Sequence, residues 1–418
     1  MKSQAKYITA FLLALIMGVS SAYAQQKPLQ YFRAPGQDGL NVFETPKTTD
    51  VEFDGLYVRV GGDFALQFQA ISQDNADNSL LANELANNFN LPTANLNLDV
   101  QLEDGLRMHL RTYLSSKHHS ESYVKGGYMQ VDKLDFISEG FAEGFAEGLM
   151  DVLTIRVGMD QYNYGDTHFR RSDNAAAIYN PFVGNYLMDS FSTEPFIEFT
   201  YQNNGIIGVI GATNGRLNQS PTDGDNGFVT FGKLGYDKQM NEDLRFRLTG
   251  SFYNSTDKGT RDYLYGGDRA GSRYYAILSG GDFEGRFNPR FTSQSAFQIN
   301  PFVKFLGVEF FGVYEIASNN DSGGGSFSQI GAEVLYRFGS AEDFYIGGRY
   351  NSVTGKSADN APTQTVDRIN VGAGWFLTSN VLTKLEYVSQ SYSDDGWNTT
   401  VYEDAEFSGI MLEAVISF

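Results

Sequence analysis

Arg170 and Arg171 sit side by side in Asn163-Tyr-Gly-Asp166-Thr-His168-Phe-Arg170-Arg171-Ser-Asp173-Asn, which runs on through Tyr179-Asn-Pro181-Phe-Val-Gly184. A guanidinium presents a fork of N–H donors, so adjacent arginines suit phosphate or carboxylate, with Asp166 and Asp173 as candidate partners. Eleven further bases fall on one parity of alternating segments: Arg59, Arg107, Arg111, Arg156, Arg245, Arg247, Lys304, Arg337, Arg349, Arg368 and Lys384. Ten acids share that parity: Asp63, Asp99, Glu103, Asp160, Glu198, Glu309, Glu315, Glu333, Glu386 and Glu413. Two uses of such a wall stay open. One is salt bridges between strands, as Asp99 and Glu103 offer Arg107 and Arg111 across their turn; the other is a positive track for anions. Enzyme chemistry finds little support. His109, His118, His119 and His168 lack metal-ligand spacing with carboxylates, and there is no Gly-x-Ser-x-Gly elbow or phosphate loop. The chain reads as a non-enzyme.

These side chains share a space only if strands carry them, because alternate residues of a strand face opposite sides. The clearest alternation is a hairpin. Ala94, Leu96, Leu98, Val100 and Leu102 oppose Asn95, Asn97, Asp99, Gln101 and Glu103. After the Asp104-Gly105 turn, Leu106, Met108, Leu110 and Leu114 oppose Arg107, His109, Arg111 and Tyr113. Tyr57–Ala70 behaves alike, and so does Ser408–Phe418, with Ile410, Leu412, Ala414, Ile416 and Phe418 on its apolar side. The same rule predicts strands at Leu153–Tyr162, Phe196–Tyr201, Ile206–Thr213, Leu244–Tyr253, Phe297–Phe305, Val308–Ile316, Gln329–Phe338, Phe344–Asn351, Arg368–Phe376 and Leu382–Gln390. Weaker segments lie at Tyr123–Phe136, Phe228–Tyr236 and Ser272–Gly280, making seventeen in all. An even number requires either Phe283–Phe291 as an eighteenth strand or one weak segment as a loop.

A charged face backed by a continuous apolar one fits a wall between water and lipid, where only a closed sheet leaves no backbone group unbonded. The expected fold class is all-β: a closed antiparallel transmembrane β-barrel of the outer membrane with 16–18 strands. Short links at 103–105, 203–205, 238–242, 306–307, 339–343 and 378–380 read as periplasmic; 71–93, 163–194, 214–226, 255–271, 353–366 and 391–406 read as extracellular. Residues 163–194 form a candidate constriction loop, with Asp166, His168, Arg170, Arg171 and Asp173 at the narrowing. An ordered surface loop at a subunit contact is the competing reading. Rings at strand ends, among them Tyr336, Phe338, Phe344 and Trp375, suit membrane interfaces. The tandem Gly140-Phe-Ala-Glu-Gly144-Phe-Ala-Glu-Gly148 suggests a short helix in an inner turn.

Lys2, Lys6, the apolar run Ile8–Val19 and Ala22-Tyr23-Ala24 have the pattern of a signal peptide over 1–24. Residues 25–53 then form an N-terminal periplasmic or luminal leader, and 54–418 the barrel. After residue 24 the chain carries 29 basic and 50 acidic residues, a formal charge of -21, which speaks against nucleic acid as a partner. There is no Cys, hence no disulfide and no lipoprotein anchor. The wall, with its near balance of charge, is far less acidic than the chain, so the excess acid belongs to the loops. Loosely bound Ca²⁺ or lipopolysaccharide could meet it there, although no loop has calcium-site spacing. No other cofactor or metal is expected.

Several stretches resemble the phosphate-selective porin O and P family, in its Bacteroidota relatives. They are Gly61-Gly62-Asp-Phe64 with Gln67-Phe-Gln69, the Asn163–Asn174 and Tyr179–Gly184 segments, Asn300-Pro-Phe-Val-Lys304, Trp375-Phe-Leu-Thr378 with Leu385-Glu-Tyr-Val388, and the stretch from Gly409. The resemblance implies sixteen strands, a homotrimer in the lipid bilayer and passage of small anions. Phe418 resembles the terminal aromatic signal read by the outer-membrane insertion machinery. The ten inward acids depart from the family's arginine ladder. The expected function is therefore an outer-membrane porin for passive diffusion of small hydrophilic solutes, with a weak preference for anions such as phosphate. The alternative is a structural or docking barrel that binds a surface lipoprotein or transporter subunit through its acidic extracellular loops.

Overall fold

The computed structural model describes residues 26–90, 92–115, 121–137, 146–215, 228–256, 264–266, 274–280 and 285–418. The expected signal peptide, His118, His119 and most of the 140–148 repeat lie outside these residues. In chain order the strands are β1 (Tyr57–Asp74), β2 (Asn88–Phe89), β3 (Thr93–Glu103), β4 (Leu106–Ser115), β5 (Glu121–Val131), β6 (Leu153–Gln161), β7 (Thr193–Asn203), β8 (Ile206–Thr213) and β9 (Val229–Gln239). They continue with β10 (Leu244–Ser255), β11 (Gln294–Phe305), β12 (Val308–Asn319), β13 (Gly324–Phe338), β14 (Phe344–Ala358), β15 (Gln364–Thr378), β16 (Val381–Ser393) and β17 (Glu406–Ser417). All but the two-residue β2 form a closed ring of sixteen antiparallel strands.

Closure depends on β1. Its first half pairs with β3, Tyr57 opposite Gln101 through Ala65 opposite Thr93. Its second half pairs with β17, Asp63 opposite Ser417 through Asp74 opposite Glu406. Phe418 adds one step, donating its N–H to the Gly62 carbonyl at 3.1 Å and accepting from the Gly62 N–H at 3.1 Å. Gly61-Gly62 leaves room for this. A Cβ at Gly61 would lie 2.9 Å from the Phe418 carbonyl oxygen, and one at Gly62 3.1 Å from its ring. The Asn204-Gly205 turn works by conformation instead: φ is +49° and +86°, the left-handed pair that matches hairpin twist.

Side-chain parity sets the two faces. Ile410, Leu412 and Ile416 are 41–47% exposed on the outside, while Met411, Glu413 and Val415 between them are at most 2% exposed. Around the barrel the outer face is Val, Leu, Ile, Phe and Tyr, and it includes a stacked row of Tyr336, Phe338, Phe344 and Trp375 at 5.6–5.8 Å spacings. A closed sheet with this exterior spans a membrane in the manner of outer-membrane barrels.

Four expectations need correction. Tyr274–Gly280 and 285–291 are turn and coil, not strand; residues 272–273 and 283–284 of the expected spans are outside the described set. Their apolar alternation meets the lumen, and their N–H groups find side chains instead of a ladder, Leu278 bonding Gln73 and Tyr275 bonding Gln69. The expected 353–366 link shrinks to 359–363, because alternation carries β14 to Ala358 and starts β15 at Gln364. Glu103 is exposed at its turn, beyond a register shift after Gln101, and does not join the inner wall. The last residues of the 140–148 repeat enter a single helical turn, Glu147–Met150.

Candidate functional site

The lumen is divided along its axis. Toward the long links its inner face is apolar: Phe327, Val353, Val366, Val388 and Phe407 pack with Leu187 and Met188 of the inner loop and with Ile277, Leu278 and Phe287. Toward the short turns the inner face is charged. Residues 163–192 fold into this interior, nearly all of them buried, and bond to wall residues on the β11–β17 side. Leu187 and Met188 donate backbone N–H groups to Asn351 and Gln329, and Val183 donates to Glu386.

The expected partnerships of the loop residues are redrawn. Asp166 does not meet Arg170 or Arg171. It takes two bonds from Arg247, both 2.8 Å, and one from Lys233 at 2.7 Å. Arg170 reaches Glu333 at 2.6 Å and Glu309 at 3.5 Å. Arg171 is held by Asp189 through two bonds of 2.8 and 2.5 Å, with Asp173 at 3.8 Å. Asp173 accepts from Arg111 at 3.1 Å and from the Tyr113 hydroxyl. His168 bonds the Tyr164 carbonyl, and burial together with Lys233 pushes its pKa well below the ordinary value.

Residues 27–53 form a strap across the short-turn end. Gln30 bonds Gln101 and Asp104, Gln37 reaches Ser379 and Ala341, and Lys47 reaches Asp132 at 3.1 Å. Glu44 enters the same buried cluster as Asp166, bonding Arg247 at 2.7 and 3.0 Å and Lys233 at 3.3 Å. Burial raises the Glu44 carboxyl, but Arg247 and Lys233 outweigh it and hold the pKa at about 2. Glu44 and Lys233 escaped sequence reasoning. Lys233 could have been found from its parity with Val229 and Phe231; Glu44, in an irregular strap, carries no such signal.

The predicted wall bases fall into two groups. Arg245 pairs with Asp237, Lys304 with Glu342, Arg349 with Glu333 and Lys384 with Glu413, each within 2.5–2.7 Å. Arg337 pairs with Glu309, and Arg368 is held by Gln390 and by the Asn185 and Gly285 carbonyls. Of these, Arg245, Arg349, Arg368 and Lys384, with Arg247, also bond the strap or the inner loop, whereas Lys304 and Arg337 pair within the wall and its turns. Arg59, Arg107, Arg111 and Arg156 instead line a cavity of about 250 Å³ left between the inner loop, the strap and the β1, β3–β7 wall. Arg171, His168 and Asp173 also reach it; Asp166 and Arg170 do not. Six arginines and six carboxylates line this space, so its walls carry no formal excess of either sign. Arg156 pairs with Glu198 at 3.4 Å, and Arg59 has no hydrogen-bond or ion-pair partner among the described residues.

A closed sixteen-stranded barrel with an apolar exterior and a loop folded inside is the architecture of outer-membrane porins. Similar solved structures include the anion-selective porin from Comamonas acidovorans, with a TM-score of 0.52 at 10% identity over 87% of this chain and 100% of that one. The outer membrane channel DcaP of Acinetobacter baumannii gives 0.51 at 11% over 87% and 98%. A trimer form of OmpT, an outer membrane protein of Vibrio cholerae, gives 0.50 at 12% over 87% and 100%. At these identities the likeness is one of fold. No family model and no curated protein sequence matches the chain.

Proposed function

We propose that this barrel is an outer-membrane porin through which small hydrophilic solutes diffuse passively, with a weak preference for anions such as phosphate. The observation that carries the reading is the polar cavity beside the inner loop, enclosed by a barrel whose exterior is apolar. Solutes would skirt the apolar fill along the β1, β3–β7 wall. The balanced lining argues for weak selectivity, and Arg59, which has no hydrogen-bond or ion-pair partner among the described residues, offers passing anions an unengaged guanidinium. The trimer reported for OmpT supports a homotrimeric assembly.

Reconstituted protein should let liposomes swell in small sugars and give a small anion-directed reversal potential in a KCl gradient. Clear cation preference would defeat the charge argument; no swelling would defeat diffusion. One observation favours the docking alternative, in which the acidic loops hold a surface lipoprotein: the apolar packing of the long-link half narrows any path. Absence of swelling together with saturable binding of a surface lipoprotein would select it.

A further inference from the structure

The short-turn end of the cavity is bordered by polar groups that the protein itself leaves partly unused. Arg107 is 2% exposed, and its Nη2 bonds the Tyr31 carbonyl and Gln130, but Nε and Nη1 have no hydrogen-bond partner. The nearest carboxylate to Nη1, Asp99, is 3.8 Å away. His109, 7% exposed, bonds Asp99 through Nδ1 at 2.8 Å and leaves Nε2 unpartnered. A buried polar atom without a partner is costly to keep, and both residues border the cavity, so this corner calls for a guest.

The surroundings narrow the chemistry. Phe32 of the strap lies between Arg59 and Arg107, with guanidinium-to-ring distances of 5.0 and 5.4 Å. Tyr128 lies between Arg107 and Arg156, at 5.7 and 4.2 Å, and beside His109 at 5.3 Å. Ring faces favour a flat apolar body, and cationic edges favour an acid group. The equal number of lining carboxylates disfavours a dianion, because each additional negative charge meets them at close range.

We propose that this corner of the lumen is a binding site for monoanionic aromatic carboxylates, with Arg107 and Arg59 receiving the carboxylate and Phe32 and Tyr128 the ring. The proposal rests on the porin reading for its consequence, preferential uptake of such acids, but the site can be tested without it.

The test uses the full-length protein and four probes: benzoate, acetate, inorganic phosphate and glucose. In planar bilayers, benzoate should interrupt the current reversibly at concentrations about tenfold below acetate or phosphate, and glucose should not compete. Phe32→Leu should reduce benzoate block to the level of acetate, with barrel folding checked by heat-modifiable gel mobility. Arg107→Gln should remove it. Titration calorimetry in detergent separates the two readings. Benzoate binding without conductance keeps this site and sinks the porin reading. Conductance with benzoate and acetate indistinguishable overturns the site alone, as does unchanged block in folded Phe32→Leu.

Discussion

At the scale of single residues, the inner wall spends most of its arginines on carboxylates. Arg247 is enclosed by Glu44, Asp166 and Asp237, with no exposed surface. Removing one partner of such a cluster leaves an uncompensated buried charge, which costs roughly 3–5 kcal/mol. Asp166→Ala should therefore lower the unfolding temperature markedly, read by the heat-modifiable shift of the barrel on gels. Glu44 makes a pH prediction. Its folded pKa of about 2 lies below the ordinary 4.5, so its contribution is full above pH 4.5 and fades as pH falls toward 2. Protease access to the strap should be flat from pH 7 to 4.5 and rise below it, and Glu44→Gln should abolish that dependence. Flat access throughout would remove Glu44 from the latch. The parity of Arg59, Arg107, Arg111 and Arg156 was legible in the sequence. Arg107 approaches Asp99 across their turn, at 3.8 Å, as the hairpin suggested, but Asp173 as partner of Arg111 was not legible, because it sits on an irregular segment whose path depends on the finished barrel.

At the scale of elements, strands were more legible than the segments between them. Period-two alternation identifies a wall segment because a one-residue slip would turn every apolar side chain inward. It misleads at Tyr274–Gly280, where apolar residues face the lumen fill rather than lipid. The inner loop likewise separates two neighbouring arginines that sequence treats as a pair. Arg171 borders the cavity, whereas Arg170 is buried against Glu333 and Glu309. Arg171→Ala should change single-channel conductance or ion preference, while Arg170→Ala should act first on stability; equal conductance effects would show that both reach the passage. Gly62, under the Phe418 ring, should tolerate Ala poorly and Val worse, read as the fraction of folded barrel recovered from membranes.

At the scale of the whole molecule, the exterior answers to lipid and the interior to the strap, the inner loop and the fill. Leu412→Arg, on the outer face, should cost about 2–4 kcal/mol if it lies near the bilayer midplane. Glu413 beside it points inward to Lys384 at 2.7 Å, so Glu413→Gln should alter stability without affecting lipid contact. The test is folding free energy in vesicles against urea, where no loss for Leu412→Arg would contradict the assignment of faces. Fold class followed from alternation and the need for closure, which left the strand number at 16–18; sixteen was what the family resemblance implied and what the ring has. The filling of the lumen did not, since it depends on long-range contacts between segments with no period of their own.

The strap precedes β1, and β1 closes the ring by pairing with β17, the last strand in chain order. Residues 27–53 and the inner loop must therefore be inside, or threaded in, before the first and last strands join. Assembly is then expected to load these contents while the sheet is still an open scroll. A bulky folded domain fused just ahead of residue 27 would jam that loading, while the same domain fused into an outer link would leave it untouched.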